Sequence, residues 1–216
     1  TQWRMLNRLP LTSLEDLKER DYVFFALQEE PETTLTWQSP ESLPQFSYIW
    51  QIARDLPAGA FLAVKDHVFA IGRRPSEFYQ QILDFKNVLL IDPLESGIAV
   101  MHHARAAATV SSTVCFEATF AGKPVISCGR HNLPNFLDHV HVADAGASLV
   151  EPLRRIFDGN WDQEKARADG ARFHQALKSV AFDFLDYDMN RVEHFNPAIV
   201  PPALTALEQS LANNDA

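Results

Sequence analysis

The sequence predicts an α/β fold: a doubly wound parallel sheet of about six strands, Rossmann-like, followed by a helical C-terminal tail. Three observations lead there. Short apolar runs rich in aromatic and β-branched residues recur without polar alternation, as strands buried on both faces require. Between them lie segments whose apolar residues fall at helical spacing, and this alternation of periods marks βαβ units. The 216 residues, 46% of them hydrophobic, suffice to bury roughly 70% of the unfolded surface around one sizeable core.

The elements follow in order. Ser13 with Asp16 three residues on signals a short helix through Arg20. Residues 21–27, Asp-Tyr-Val-Phe-Phe-Ala-Leu, read as a doubly buried strand, and the polar, proline-punctuated stretch 28–40 as a loop. Phe46, Ile49, Trp50, Ala53 and Leu56 give a helix over 42–56. Strands are expected at 60–65, 87–91, 106–110, 124–127 and 139–142, with helices at 75–83, 95–104, 113–121 and 147–157. Gly122 is placed to cap the helix before it in a left-handed conformation. Residues 164–179 are helical, 182–195 aromatic and acidic, 197–202 an extended breaker and 204–211 a last helix. This divides the chain into a connector helix (1–20), a sheet domain (21–160) and a tail (161–216) that crosses over to pack on another unit.

Composition excludes several functions. A formal charge of −9 without a basic run argues against wrapping nucleic acid. Cys115 and Cys128 lie in apolar stretches and read as reduced core thiols of a cytoplasmic protein. There is neither a spanning apolar stretch of ~18 residues nor a signal-peptide pattern. The first residue is Thr1 rather than Met, which suggests a piece of a longer chain. Dinucleotide, Walker-type and Gly-x-Ser-x-Gly motifs do not occur. In Asp138-His139-Val140-His141 two histidines share a strand face, but no third ligand stands in register, so no metal is expected.

Open parallel sheets bind ligands beyond the carboxyl ends of their strands, so the loops there hold the candidates. Ser111, Ser112 and Thr113 sit where a strand hands over to a helix, where free N–H groups and hydroxyls suit a phosphate. Glu117, one turn further, could accept from two ribose hydroxyls; the alternative is a pair with Lys123 or the capping of a neighbouring loop. Lys65 and His67 end another strand, the lysine to balance phosphate charge and the histidine to donate a proton to a leaving phosphate. Glu30, Glu32 and Arg73 are further cleft contacts; for Arg73 and its neighbour Arg74 a solvated loop is the alternative.

With these residues in view, the chain resembles the C-terminal, donor-binding half of GT-B glycosyltransferases, in the bacterial capsule and surface-polysaccharide biosynthesis group that includes Kdo transferases. The resemblance runs over residues 20–137. It rests on Tyr22 to Gln28 with Pro31-Glu32, Leu56-Pro57, Lys65-Asp66-His67, Phe78-Tyr79, Asn87 to Ile91, Ser111 to Ala118 and Gly122-Lys123-Pro124-Val125-Ile126. It implies that His67 and the Ser111-Ser112-Thr113 cluster hold the phosphate of a CMP-activated or UDP-type donor and that Glu117 is the glutamate of the following helix; Val68 stands where the family has proline.

The implied activity is transfer of a sugar by direct displacement to a glycan or glycolipid acceptor, with the base in an N-terminal lobe. No cofactor is implied, since the nucleotide-sugar is a substrate. The expected setting is cytoplasmic, at the inner face of the inner membrane, by peripheral association of the full-length protein. A nucleotide-sugar epimerase of the same architecture and a non-catalytic nucleotide-binding domain are the other readings.

Overall fold

In the computed structural model, residues 8–30, 36, 40, 44–70, 73–183 and 195–214 are described. Seven strands form one parallel sheet: Leu11–Thr12 (β1), Tyr22–Ala26 (β2), Phe61–Lys65 (β3), Val88–Ile91 (β4), Ala106–Thr109 (β5), Val125–Ser127 (β6) and Val140–Val142 (β7), in the order β1-β4-β3-β2-β5-β6-β7. Six are the expected strands. The seventh, β1, lies ahead of the expected domain start at residue 21 and pairs Leu11 with Leu90 and Thr12 with Ile91. Two residues carry too little periodicity to be read as a strand; only the neighbouring β4 makes them one.

β2 is central because it is apolar on both sides. Tyr22, Val23, Phe24, Phe25 and Ala26 are all buried, with Phe24 opposite Ala63 of β3 and Ala107 of β5. Val23 and Phe25 join one core with helices Gln45–Asp55 (α2), Ser76–Leu83 (α3) and Val150–Phe157 (α6). On the other side, Tyr22 donates its hydroxyl to the Val100 carbonyl (2.7 Å) of helix Gly97–His103 (α4). Helices on both faces make the sheet doubly wound. In α2 the buried stripe is Tyr48, Ile49, Ile52 and Ala53, whereas Trp50 faces outward with the Arg54 guanidinium 5.0 Å over its ring.

Local signals hold at both ends of the short helices. Ser13 and Asp16 form a reciprocal capping box on Leu14–Leu17 (α1). Helix Val114–Phe120 (α5) ends in a Schellman turn: Lys123 N–H donates to Ala118 O (2.9 Å), Gly122 N–H to Thr119 O (2.9 Å), and Gly122 has φ +64°. Both cysteines are buried and neither forms a disulfide among the described residues, and burial pushes the Cys115 thiol up to about 12.

The chain separates into two compact units, Thr1–Gly170 and Ala171–Ala216, with helix Gln163–Val180 (α7) running through the boundary. In the second unit a 3-10 turn, Pro197–Ile199, leads into helix Val200–Asn214 (α8). The segment 197–202, expected to be extended, is therefore helical from Val200: prolines at 201 and 202 fall in the first turn, whose N–H groups need no partner within the helix. Val200, Leu204, Leu207 and Leu211 are exposed along one stripe of α8. Among the described residues no helix is long and apolar enough to cross a membrane.

Candidate functional site

The chain order reverses beside β2: β2, β3 and β4 follow one another toward one side of the sheet, and the chain then crosses back through α4 to β5 on the other side of β2. Such a switch point opens a crevice at the carboxyl ends of the strands. A cleft of about 280 Å³ lies there, lined by Ala26 and Leu27, by Lys65, Asp66 and His67, by Ser96 to Ile98, and by Ser112, Thr113 and Glu117. Five of the nine candidates thus meet in one cavity.

One wall follows from how β3 ends. Lys65 pairs with Ala26 in the sheet, and its ammonium donates to the carbonyls of Pro93 (2.9 Å) and Asp66 (3.3 Å). Burial lowers its pKa, opposed by the nearby charges of Asp66, Asp92 and Glu95. The next residue, Asp66, is 1% exposed and accepts from Tyr79 Oη (2.6 Å), Arg74 Nε (3.1 Å) and the His67 backbone N–H (2.8 Å). Burial, then the bond to Asp66, pushes the Tyr79 phenol well above its ordinary range. His67 is thereby fixed by its backbone while its exposed side chain lines the cleft. Val68 begins the 3-10 turn Val68–Ala70.

The opposite wall is the start of α5. Ser112 Oγ accepts from Val114 N–H (3.3 Å) and Thr113 is exposed. Glu117 is half-buried and faces the cleft; Lys123 instead donates to the Ala104 carbonyl. Hydroxyls, an ammonium, an imidazole and a carboxylate therefore surround the cavity. The first two can meet a phosphate oxyanion, the carboxylate can accept from sugar hydroxyls, and the imidazole can carry a proton.

Ser111 is placed otherwise. Its N–H donates to Gln28 Oε1 (2.8 Å) and its hydroxyl accepts from Gln28 Nε2 (2.9 Å), tying β5 to the end of β2. Glu30 accepts from Gln45 Nε2 and pairs with Arg74 Nη1 (3.2 Å), and Arg73 pairs with Glu29; neither Glu30 nor Arg73 lines the cleft. Glu32 lies outside the described residues.

Arg74 is the larger departure from a solvated loop. It is 8% exposed, donates to Asp66 and to the Gln28 carbonyl, and covers the Phe78 ring at 5.0 Å. Asp66, Arg74, Tyr79, Gln28 and Gln45 form one buried polar network beneath the cleft, which residue-by-residue reading of the loops did not assemble. Ser96, which caps α4 by accepting from Ala99 N–H (3.3 Å), was also missed. A serine that follows a strand and a turn with one proline, Pro93, is its sequence signal. His139 and His141 line a shared cavity elsewhere, and among the described residues no group of three or more His, Cys, Asp or Glu side chains is arranged for a metal.

No protein-family model and no curated protein matches the chain. Among solved structures, a putative UDP-N-acetylglucosamine 2-epimerase from Listeria monocytogenes matches with a TM-score of 0.51 and 18% identity, over 81% of this chain and 48% of that one. The β-Kdo 2,4-transferase KpsC of Thermosulfurimonas dismutans matches at 24% identity with a TM-score of 0.41, over 51% and 34%. An S. aureus MnaA–UDP co-structure matches at 15% identity with a TM-score of 0.47, over 73% and 41%. The chain thus spans between a third and a half of the length of these three. What the Listeria match establishes is a shared fold, a Rossmann-like α/β lobe.

Proposed function

We propose that the chain is the donor-binding lobe of a GT-B glycosyltransferase that moves a sugar from a nucleotide-activated donor, CMP- or UDP-linked, to a glycan or glycolipid of the bacterial surface. The observation that carries this is the meeting of Lys65, His67, Ser112, Thr113 and Glu117 around one cleft at the switch point of the sheet. In this reading Ser112 and Thr113 donate to the phosphate nearest the sugar, and Lys65 balances its charge. Glu117 accepts from the ribose hydroxyls. As the bond from sugar to phosphate breaks, negative charge grows on the leaving oxygen, and His67 meets it with a proton or hydrogen bond. The acceptor's base belongs to a second lobe, against which residues 161–216 pack. The exposed apolar stripe of α8 supports such a contact. Peripheral association with the inner face of the inner membrane belongs to the full-length protein in the same reading.

Nucleotide binding tests the proposal. CMP or UDP at 100 times its Kd adds about 2.7 kcal/mol, which raises Tm by roughly 5–10 °C in a chain of this size. If neither changes the melting temperature at millimolar concentration, the cleft is not a nucleotide site. The shared fold with a putative epimerase favours one second reading, a UDP-sugar 2-epimerase. Incubating the full-length protein with donor alone separates the two: an epimerised nucleotide-sugar refutes transfer, and an intact donor consumed only when acceptor is added refutes epimerisation.

A further inference from the structure

The opposite edge of the sheet, below the amino ends of the strands, carries a second cleft of about 420 Å³. Its walls come from the turns before β2, β5 and β6 and from the first half of α7. In a chain with a formal charge of −9, this cleft gathers Lys18, Arg20, Arg105, Lys123 and Arg167, with Asp21 as the one carboxylate among the described lining residues.

Helix ends explain part of this charge. α4 and α5 both finish here, and cations near a helix C-terminus complement its dipole; Lys123 does so by donating to Ala104, the C-cap of α4. Yet two full helix dipoles amount together to about one negative charge, against a surplus of four cations. Asp21 is engaged by Arg105 (2.6 Å), and Lys18 is paired with Glu15 (2.7 Å) outside the cleft. Arg20, Lys123 and Arg167 make no salt bridge among the described residues.

One of these cations is held rather than left to swing in solvent. The Lys123 ammonium is half-buried; its pKa is lowered by burial first and by the like charge of Arg105 second, with no carboxylate acting the other way. Gly122 brings the α5–β6 turn directly onto α7: a Cβ there would lie 2.6 Å from the Arg167 backbone. This contact puts the stem of the exposed Arg167 against the turn that carries Lys123, and both residues line the cleft. Like charges brought together at a concave surface leave a deficit that an anion would fill.

We infer that this cleft binds the phosphate oxyanion of a phosphorylated ligand, with Arg105, Lys123 and Arg167 as donors and Arg20 at the rim. The site lies at the opposite edge of the sheet from the nucleotide cleft and does not depend on the function proposed for it. Inorganic pyrophosphate, titrated calorimetrically at low ionic strength, is the probe for a free phosphorylated ligand. Vesicles of phosphatidylglycerol, compared with phosphatidylcholine in a sedimentation assay, are the probe for a lipid headgroup. Arg167→Ala and Arg105→Ala, both at exposed side chains, should each weaken whichever binding is found by about tenfold, as expected for loss of a charge-assisted donor. Pyrophosphate binding assigns a soluble ligand, and retention on anionic vesicles alone assigns a headgroup. Absence of both, or binding that survives both substitutions, overturns the inference.

Discussion

Two adjacent arginines should behave in opposite ways when removed. Arg73, with its side chain 59% exposed, pairs with Glu29 at the surface; the Arg74 side chain is 6% exposed and holds Asp66, itself 1% exposed. An exposed pair contributes about 0–1 kcal/mol, so Arg73→Ala should move Tm by no more than about 4 °C. Arg74→Met keeps most of the side-chain volume but removes the cation from Asp66, Glu30 and the Gln28 carbonyl. Asp66 then keeps only the Tyr79 hydroxyl and the His67 N–H as donors among its observed partners. Breaking a buried pair by removing one partner costs about 3–5 kcal/mol, which corresponds to a fall in Tm of roughly 6–20 °C. Urea denaturation checks the sizes: the midpoint should shift for Arg74→Met with m unchanged, and hardly at all for Arg73→Ala. Equal shifts in the two variants, or a loss below 1 kcal/mol at Arg74, would refute the role given to the buried network.

Ser112→Ala or Glu117→Ala should each weaken CMP or UDP binding by about 1–3 kcal/mol at nearly unchanged Tm, whereas Ser111→Ala should lower Tm and leave nucleotide affinity close to normal, since its partner is Gln28; calorimetry and thermal melts separate the two effects. Gly170→Ala, which would normally favour a helix, should destabilise by about 1–3 kcal/mol, because a Cβ there would lie 2.1 Å from the Thr119 carbonyl oxygen; a stabilised variant in urea denaturation would show that this contact is not made. Cys115 has its thiol raised from 9.0 to about 12 by burial. The stability that this neutral thiol contributes is complete below pH 9 and is lost as pH rises toward 12. Cys115→Ala should therefore flatten the alkaline arm of the stability curve, and an unchanged slope between pH 9 and 11 would contradict the shift.

Much of the sheet could be read from the chain because its strands are self-contained signals. Tyr22 to Ala26 and Val88 to Ile91 are apolar over their full lengths, and Gly122 marks the end of α5 by the one conformation it alone adopts freely. β1 escaped notice because its pairing, not its composition, makes it a strand. Lys65, His67, Ser112, Thr113 and Glu117 meet around one cleft as the sequence led one to expect, because position at or just after a strand end predicts direction. Ser111 was misleading: three hydroxyls in a row look alike in sequence, and only Gln28, eighty-three positions earlier, decides which one is taken. Arg73 and Arg74 pose the same difficulty, since burial of one and exposure of its neighbour is settled by Asp66 and Tyr79 on other segments. Composition shows which groups are present, whereas long-range partners determine which remain available.

The way β2 sits between β3 and β5 has a consequence for assembly. The cleft takes one wall from residues 65–67, another from 96–98 and a third from 112–117, and none of these adjoins another until β2, β3, β4 and β5 have paired. Non-local pairings of this kind form slowly, because loop closure comes before the contacts that reward it. The cleft is therefore among the last things the folding chain completes, and a nascent chain that has emerged only as far as β4 has no capacity for the ligand. If the cleft binds nucleotide as proposed, its occupancy reports on the pairing of β2 to β5. In pulsed hydrogen exchange, recovery of ligand binding should coincide with protection of the β2 and β5 amides rather than with the earlier protection of local helices.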